Sequence, residues 1–368
     1  MRICLIATEF PGIGAYGGFG VLTHDLALGL IKRGLEVYVA MPRKEGQKPI
    51  EVIDGLKVVS YPSGIYVGLR DIRPFAGMYK TLDADIYHSQ EPSIGSALAQ
   101  LAAPHRKHII TFQDPRDVYD WRIELAHRKR SRLEEYKFWF YYQREVGKAA
   151  RNASASYCQA KYTIDKVVKM YRLRERPGFL PNPVRMPKMQ NPKDLKPTVC
   201  YVGRWDERKR PELFFDLAAR FPNVRFIAGG ACHNNSLRDA ALRRRCQEQK
   251  NIEMPGWFGD DERGKLLDRS WILINTSTRE CLPVSFLEAG AHRCAILSHC
   301  NPDEFAGNFG FWTERGDIDD YAQGLTFLLD NERWKALGEK AYHYVRDTHE
   351  YDRVIDQHIS IYRRMLKS

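Results

Sequence analysis

Glu280 and Glu288 lie within one segment that runs from Asn275 to Gly290, and Arg204 and Lys209 follow an apolar run further upstream. Carboxylates accept hydrogen bonds from hydroxyl groups, so two glutamates at this spacing can grip two parts of one polyhydroxylated ligand. Fixed cations stabilise a leaving group that gains negative charge, as a departing diphosphate does. Each pair also has a plainer reading. The glutamates alone fit the surface of a capped helix, and the cations alone fit a solvated loop. The chemistry requires both loops to converge on one crevice.

The elements around these residues put them at strand ends. Residues 271–274 read as a strand that runs directly into a helix, with Pro283 suited to its first turn. The free N–H groups of such a helix start are an anion site, suited to phosphate oxygens. Residues 198–202 read as another strand, so Arg204 and Lys209 also follow a strand's carboxyl end. In open α/β sheets, ligands bind beyond those ends.

The same alternation extends along the chain. Residues 3–7, 37–40, 57–60, 85–88, 108–112 and 153–158 read as strands, while 22–30, 93–102 and 121–151 have helical character. Strands alternating with helices predict a parallel sheet covered on both faces. Residues 177–197 break the pattern with Pro177, Pro181, Pro183, Pro187, Pro192 and Pro197, and read as a linker. Alternation then resumes through 198–202, 211–220, 224–228, 271–276 and 283–292. Near the end, Val354, Ile355, Ile359, Tyr362 and Leu366 are spaced as one face of a helix. The expected fold class is α/β, with two Rossmann-like domains facing across a cleft.

A length of 368 residues agrees with two domains, since one core rarely grows so large. The formal net charge of +11 points to an anionic partner (a nucleotide, an acidic membrane surface or nucleic acid) or to a solvated basic surface. The eight cysteines show no CxxC pair and no Cys/His cluster at metal spacing, so no metal is expected. No apolar run approaches the ~20 residues that span a bilayer. Residues 3–7 are too short for a signal-peptide core. The expected location is cytoplasmic, with membrane association on the cytosolic face left open.

Taken together, the segment 279–289 resembles the E-x7-E motif of retaining GT-B glycosyltransferases, specifically glycosyltransferase family 4 (group 1). Gly203-Arg204 with Lys209 resembles that family's diphosphate-binding pair. Leu180-Pro181-Asn182-Pro183-Val184 is similar to its P-N-G-V linker, with Pro183 in place of glycine, and Gly17-Gly18 resembles its N-terminal glycine loop. The resemblance spans nearly the whole chain.

It implies a retaining, metal-independent hexosyltransferase that moves a sugar from a nucleotide-diphosphate-sugar donor to a hydroxyl acceptor, with no cofactor. The acceptor would be a sugar, a lipid-linked or a small-molecule hydroxyl. Residues 1–180 would form the acceptor domain, 181–197 the linker and 198–349 the nucleotide-sugar domain. Residues 350–368 would form a helix packing back on the first domain. Glu280 would hold donor-sugar hydroxyls and Glu288 the ribose, while Arg204 and Lys209 bind the diphosphate with help from backbone amides at Cys281 and Leu282. Gly17 and Gly18 would admit close backbone approach to the phosphates or the acceptor. Two positions depart from the family. Cys281 stands where glycine is frequent, and Gln113 stands where histidine is common near the donor sugar. Glutamine hydrogen-bonds a hydroxyl but shuttles no proton. Two rival functions share these features: a nucleotide-sugar epimerase of the same fold, and a non-catalytic nucleotide-sugar or glycan binder.

Gly12-Ile13-Gly14-Ala15-Tyr16-Gly17 matches G-x-G-x-x-G, but no acid ends the second strand as the dinucleotide fingerprint requires. Asp83-Ala84-Asp85 reads as a turn before a strand rather than a metal-binding D-x-D. His88 ends a strand, where it serves the acceptor side or fills the core. Trp257 follows Pro255-Gly256 and borders the nucleobase or plugs the core. Residues 127–132 are strongly basic and residues 136–142 aromatic, which fits either a solvated helix face or contact with an anionic membrane. No nucleic acid is expected.

Overall fold

The computed structural model describes residues 1–14, 16–62, 76–126, 144–232, 235–247, 249–256 and 259–367. The chain folds into two compact units. One comprises Met1–Tyr119, Arg128–Pro183 and Asp352–Ser368, and the other Asp120–His127 and Val184–Tyr351. Trp257 and the basic aromatic stretch of residues 127–142 lie outside the described residues.

The strands of the first unit are β1 (Arg2–Ile6), β2 (Glu36–Pro42), β3 (Ile50–Ile53), β4 (Leu56–Tyr61), β5 (Ile86–Ser89), β6 (Lys107–Phe112), β7 (Ala155–Cys158) and β8 (Gly178–Phe179). They lie in the order β3-β4-β2-β1-β5-β6-β7-β8. Neighbours pair in parallel except β3 with β4. Ile3, Cys4, Leu5 and Ile6 are all buried, as an apolar strand covered on both faces requires. The chain builds outward from β1 in one direction and from β5 in the other, so the switch point lies between these two strands. Strand β3 was not expected. Asp54 and Gly55, with φ of 50° and 78°, form the two-residue turn that pairs Ile53 with Leu56.

The helix Tyr351–Lys367 buries Val354, Ile355, Ile359 and Tyr362, while Leu366 is exposed. Its residues from Asp352 onward belong to the first unit. The Tyr362 hydroxyl meets His88 Nδ1 at 2.7 Å, and Arg33 pairs with Asp352 at 2.8 Å and Asp356 at 2.5 Å.

The second unit has strands β9 (Thr198–Val202), β10 (Arg225–Gly229), β11 (Ile252–Gly256), β12 (Ile272–Asn275), β13 (Ala295–Ser298) and β14 (Gly310–Trp312). All pair in parallel, in the order β11-β10-β9-β12-β13-β14. This is the order of a doubly wound Rossmann sheet, with its switch point between β9 and β12. A core of Trp205, Phe214, Phe215 and Phe226 backs the sheet, with Trp205 and Phe215 edge to face at 5.6 Å.

The proline-rich segment is firmly held on its C-terminal side. Lys193 Nζ donates to the carbonyls of Leu267, Ser270 and His292, and the Asp194 carboxylate takes Arg225 and Arg269 at 3.1 Å. From Val184 onward the segment belongs to the second unit. None of the eight cysteines is in a disulfide. No helix among the described residues is long and apolar enough to cross a membrane.

Candidate active site

The switch point of the second unit brings two loops side by side, one leaving β9 and the other leaving β12. The β9 loop carries Gly203, Arg204 and Lys209, and ends where Pro211 opens the helix Pro211–Arg220. The β12 loop carries Thr276 to Pro283 and ends where the helix Val284–Ala291 starts. The two are laced together by backbone. Thr278 N donates to the Arg208 carbonyl at 3.0 Å, and Thr276 Oγ1 to the Lys209 carbonyl at 2.6 Å.

These ties bring Lys209 Nζ onto Glu280 Oε1 as an ion pair of two largely buried side chains. The same oxygen accepts from Ser277 Oγ at 2.6 Å and Asn275 Nδ2 at 3.4 Å. Burial pushes the Glu280 carboxyl up, but the charge and hydrogen bond of Lys209, the Ser277 hydroxyl and the Arg208 charge outweigh it. The net effect holds Glu280 below the ordinary glutamate value, as a carboxylate.

A depressed carboxyl pKa contributes stability that is present above the unfolded-state value and is lost as pH falls through the folded-state value. Wild-type protein should therefore lose its stability margin over Glu280→Gln as the pH drops into the acid range below 4.5, the ordinary value. Urea midpoints of both proteins across that range check this. A margin that does not shrink on acidification contradicts the assigned charge state.

Arg204 lies on the same loop, about half exposed, 3.4 Å from Asp206, with its carbonyl accepting from the Tyr201 hydroxyl at 2.9 Å. Asp206 in turn caps the short helix Glu207–Lys209 by accepting from Lys209 N at 3.2 Å. Cys281 and Leu282 are buried between Glu280 and the helix start. Pro283 is the N-cap residue rather than the first helical residue, and no side chain caps this helix. Its first-turn N–H groups keep the polarity that suits a phosphate. Glu288 sits on the same helix and pairs with Arg263 at 2.9 Å.

Arg210 was not singled out by sequence reasoning. It adopts φ of 45°, in the left-handed region, and its guanidinium donates to the carbonyls of Thr276 at 2.6 Å and Gly316 at 3.1 Å. It thus ties the loops that leave β9, β12 and β14. A basic residue beside Lys209 gave no signal of this, because the carbonyls it reaches are remote in sequence.

In the first unit, Gly17 is the N-cap of the helix Gly18–Lys32. Glu9 Oε1 accepts from Gly17 N and Gly20 N, both at 3.0 Å, so an internal carboxylate occupies that helix start. Gln113 is buried at the end of β6 and exchanges amide hydrogen bonds with Asn182, both at 3.0 Å. His88 is fully buried, with Nδ1 at Tyr362 and Nε2 at 2.8 Å from Thr111 Oγ1. Both ring nitrogens are engaged, and burial holds its pKa well below the ordinary histidine value. The structure therefore gives His88 a packing place in the first unit's core rather than an open acceptor face. Asp83, in left-handed conformation after the helix Gly77–Leu82, and Asp85 both pair with Arg106, and Asp85 also accepts from Arg2 N. No group of three or more His, Cys, Asp or Glu side chains among the described residues could hold a metal ion.

Two doubly wound sheets in separate units are the architecture of the GT-B glycosyltransferase fold. The first half, residues 16–186, matches the family described as Glycosyltransferase Family 4, and residues 185–344 match Glycosyl transferases group 1. The chain belongs to the group 1 glycosyltransferases of family 4. Solved structures agree in fold. A sucrose-phosphate synthase from Thermosynechococcus elongatus superposes with a TM-score of 0.74 at 13% identity, covering 100% of this chain and 99% of that one. HepE of Anabaena, in complex with UDP-glucose, gives 0.70 at 13% identity over 98% and 99%. A glycosyltransferase from Rickettsia africae gives 0.72 at 16% identity over 100% and 99%. No curated protein matches the chain in sequence.

Proposed function

We propose that this glycosyltransferase is a retaining, metal-independent hexosyltransferase that takes its sugar from a nucleoside-diphosphate donor and passes it to a hydroxyl acceptor. The observation that carries the reading is the Lys209–Glu280 pair at adjoining strand ends of the second unit. A buried ammonium and a buried carboxylate satisfy each other in the free protein, and each suits one half of such a donor. Lys209, with Arg204, re-partners to the diphosphate, whose charge grows as it leaves. Glu280, already ionised, accepts hydrogen bonds from the sugar hydroxyls. Glu288 receives the ribose hydroxyls in place of part of its contact with Arg263. The open start of the helix Val284–Ala291, beside Cys281 and Leu282, adds backbone dipoles to the phosphate seat.

In the proposed step, the bond from the anomeric carbon to the diphosphate oxygen breaks. A bond to the acceptor oxygen forms on the same face, and the acceptor proton passes to the departing phosphate. No side-chain nucleophile is needed. In this reading Gly17 and Gly18 admit close backbone approach to the donor phosphates or the acceptor, and Gln113 is a donor-binding residue. The acceptor is a sugar, a lipid-linked or a small-molecule hydroxyl, met in the cytoplasm, and the basic stretch near residue 130 would favour an anionic membrane face. The HepE structure with UDP-glucose supports the donor class.

The test is a thermal-shift screen with nucleoside diphosphates and their sugars. A ligand at about a hundred times its Kd adds roughly 2.7 kcal/mol to folded-state stability. At least one nucleoside diphosphate should raise the melting temperature of wild type, and Lys209→Ala should abolish the shift. A flat response to every nucleotide tested overturns the reading.

A further inference from the structure

Arg210 carries two features that do not favour stability. Its φ of 45° lies in the left-handed region, where glycine is the ordinary occupant. Its Nη2 is buried without a partner among the described residues, and a buried hydrogen-bond donor left unmet is unfavourable. A residue held this way persists only where its surroundings over-determine its place, and such residues cluster at functional sites. The rest of the guanidinium supplies that determination. Nε donates to the Thr276 carbonyl at 2.6 Å and Nη1 to the Gly316 carbonyl at 3.1 Å. The tie to Thr276 is reciprocal, because Thr276 Oγ1 donates to the Lys209 carbonyl at 2.6 Å.

This clamp sits among the groups that hold Glu280. Glu280 Oε1 accepts from Lys209 Nζ, Ser277 Oγ and Asn275 Nδ2. Lys209 immediately precedes Arg210, and Asn275 and Ser277 flank Thr276. Each of the three groups is therefore one residue away from an end of the Arg210–Thr276 clamp. The bond to Gly316 extends the hold to the loop leaving β14, which is itself fixed. Asp320 Oδ2 accepts from Arg315 N at 2.8 Å and Gly316 N at 3.3 Å.

We propose that Arg210 is a positioning residue: its guanidinium clamps the loop leaving β12 to those leaving β9 and β14, and so fixes Lys209 against Glu280. This rests on the reading of that pair as the sugar-donor site under the proposed function. Arg210 touches no substrate in this role. A planar group with several fixed N–H donors bridges two separate carbonyls, which the point charge of an ammonium does less well. Misplacing a binding group by about 1 Å costs up to about a hundredfold in rate, so a loosened clamp should be read in activity.

Arg210→Gly is the informative change, because glycine keeps the left-handed backbone without penalty and removes only the side chain. Asn251→Ala is its control. Asn251 Nδ2 also ties backbone together, donating to the carbonyls of Ala218, Phe221 and Val224 at 3.0 to 3.1 Å, but at the opposite end of the same sheet. The full-length wild type, Arg210→Gly, Asn251→Ala and Lys209→Ala are assayed for kcat/KM by release of nucleoside diphosphate. The substrate is the UDP-, GDP- or ADP-sugar that gives the largest thermal shift. Urea midpoints are recorded for the same proteins, and for Glu280→Gln and the Arg210→Gly/Glu280→Gln double variant, without nucleotide.

Arg210→Gly should lower kcat/KM at least about tenfold. Asn251→Ala should lower the urea midpoint yet keep kcat/KM within about twofold of wild type, because its ties lie away from the strand ends that bear the site. Glu280→Gln should cost less stability in the Arg210→Gly background than in wild type, since the groups that hold the carboxylate are already loosened. Wild-type kcat/KM in Arg210→Gly, or a loss in Asn251→Ala as large as in Arg210→Gly, overturns the positioning role. Equal costs of Glu280→Gln in the two backgrounds overturn it as well. Activity surviving in Lys209→Ala instead overturns the donor-site reading. The stability comparison needs no nucleotide, so it still decides whether Arg210 holds Glu280, and the two failures are distinguishable.

Discussion

Lys209→Ala is expected to lower kcat/KM by about a thousandfold or more while the protein stays folded, because one substitution removes two functions. The first is a cation facing the leaving diphosphate, and removal of one such group typically costs two to three orders of magnitude. The second is the control of Glu280. Lys209 contributes the two largest effects that oppose burial at that carboxyl, so without it the balance shifts towards the neutral acid. A protonated Glu280 is a poorer acceptor for sugar hydroxyls. The two losses share one site and should not add, so Glu280→Gln and the Lys209→Ala/Glu280→Gln double variant should lie close to the Lys209→Ala level. Steady-state kinetics on the three variants, with urea unfolding to confirm the fold, make the comparison. A double variant that loses the sum of the single effects would show that the two residues act independently, against the coupled site described here.

Gly230→Ala should lower stability by about 3 kcal/mol or more. At φ of +141°, a Cβ on Gly230 would stand 1.9 Å from the Gly203 carbonyl oxygen and 3.0 Å from Trp205 Nε1. Neither neighbour can yield easily. Gly203 N donates to the Gly229 carbonyl, Trp205 N to the Ala231 carbonyl, and Gly230 N to the Gly256 carbonyl, so the loops leaving β9, β10 and β11 are joined backbone to backbone. Trp205 itself is fully buried in the core. The clash would therefore displace the loop bearing Arg204 and Lys209, and nucleotide binding should fall with stability. Gly77→Ala, where an added Cβ meets nothing within 4 Å, is the control and should be near neutral. A Gly230→Ala protein with wild-type urea midpoint and nucleotide affinity would refute this account.

Strands of continuous apolar sequence were legible because a sheet covered on both faces needs no alternation, as in residues 3–6 and 272–274. Strand β3 was missed although Asp54-Gly55 is a hairpin signal, because its exposed Ile50 and Val52 form a single short edge pattern. Strand β11 was missed for a related reason. Ile252 and Met254 alternate with exposed Glu253, and Pro255 reads as a breaker, yet a proline is tolerated at the end of an edge strand. The helices Ser236–Cys246 and Asp260–Arg269 are so polar that little apolar periodicity marks them. The proline-rich stretch looked wholly like a linker because proline content reports what a backbone cannot form. It does not reveal that Lys193 and Asp194 anchor to carbonyls and guanidiniums 30 or more residues away.

For the site, the sequence by itself determined the chemical groups and their local settings: two glutamates around a helix start, and cations after a strand. Both are short-range properties, set by strand ends, proline at a helix start and the spacing of neighbouring residues. Tertiary structure decided which groups meet. The strand order puts β9 beside β12, and only that adjacency brings Lys209 onto Glu280 across 71 positions of chain. The same kind of long-range packing closed His88 into a core with Tyr362 and brought Glu91 to the turn of Gln113. The physical reason is that a side chain's charge state and free hydrogen-bonding capacity depend on what burial and folding set against it. Those partners come from distant parts of the chain.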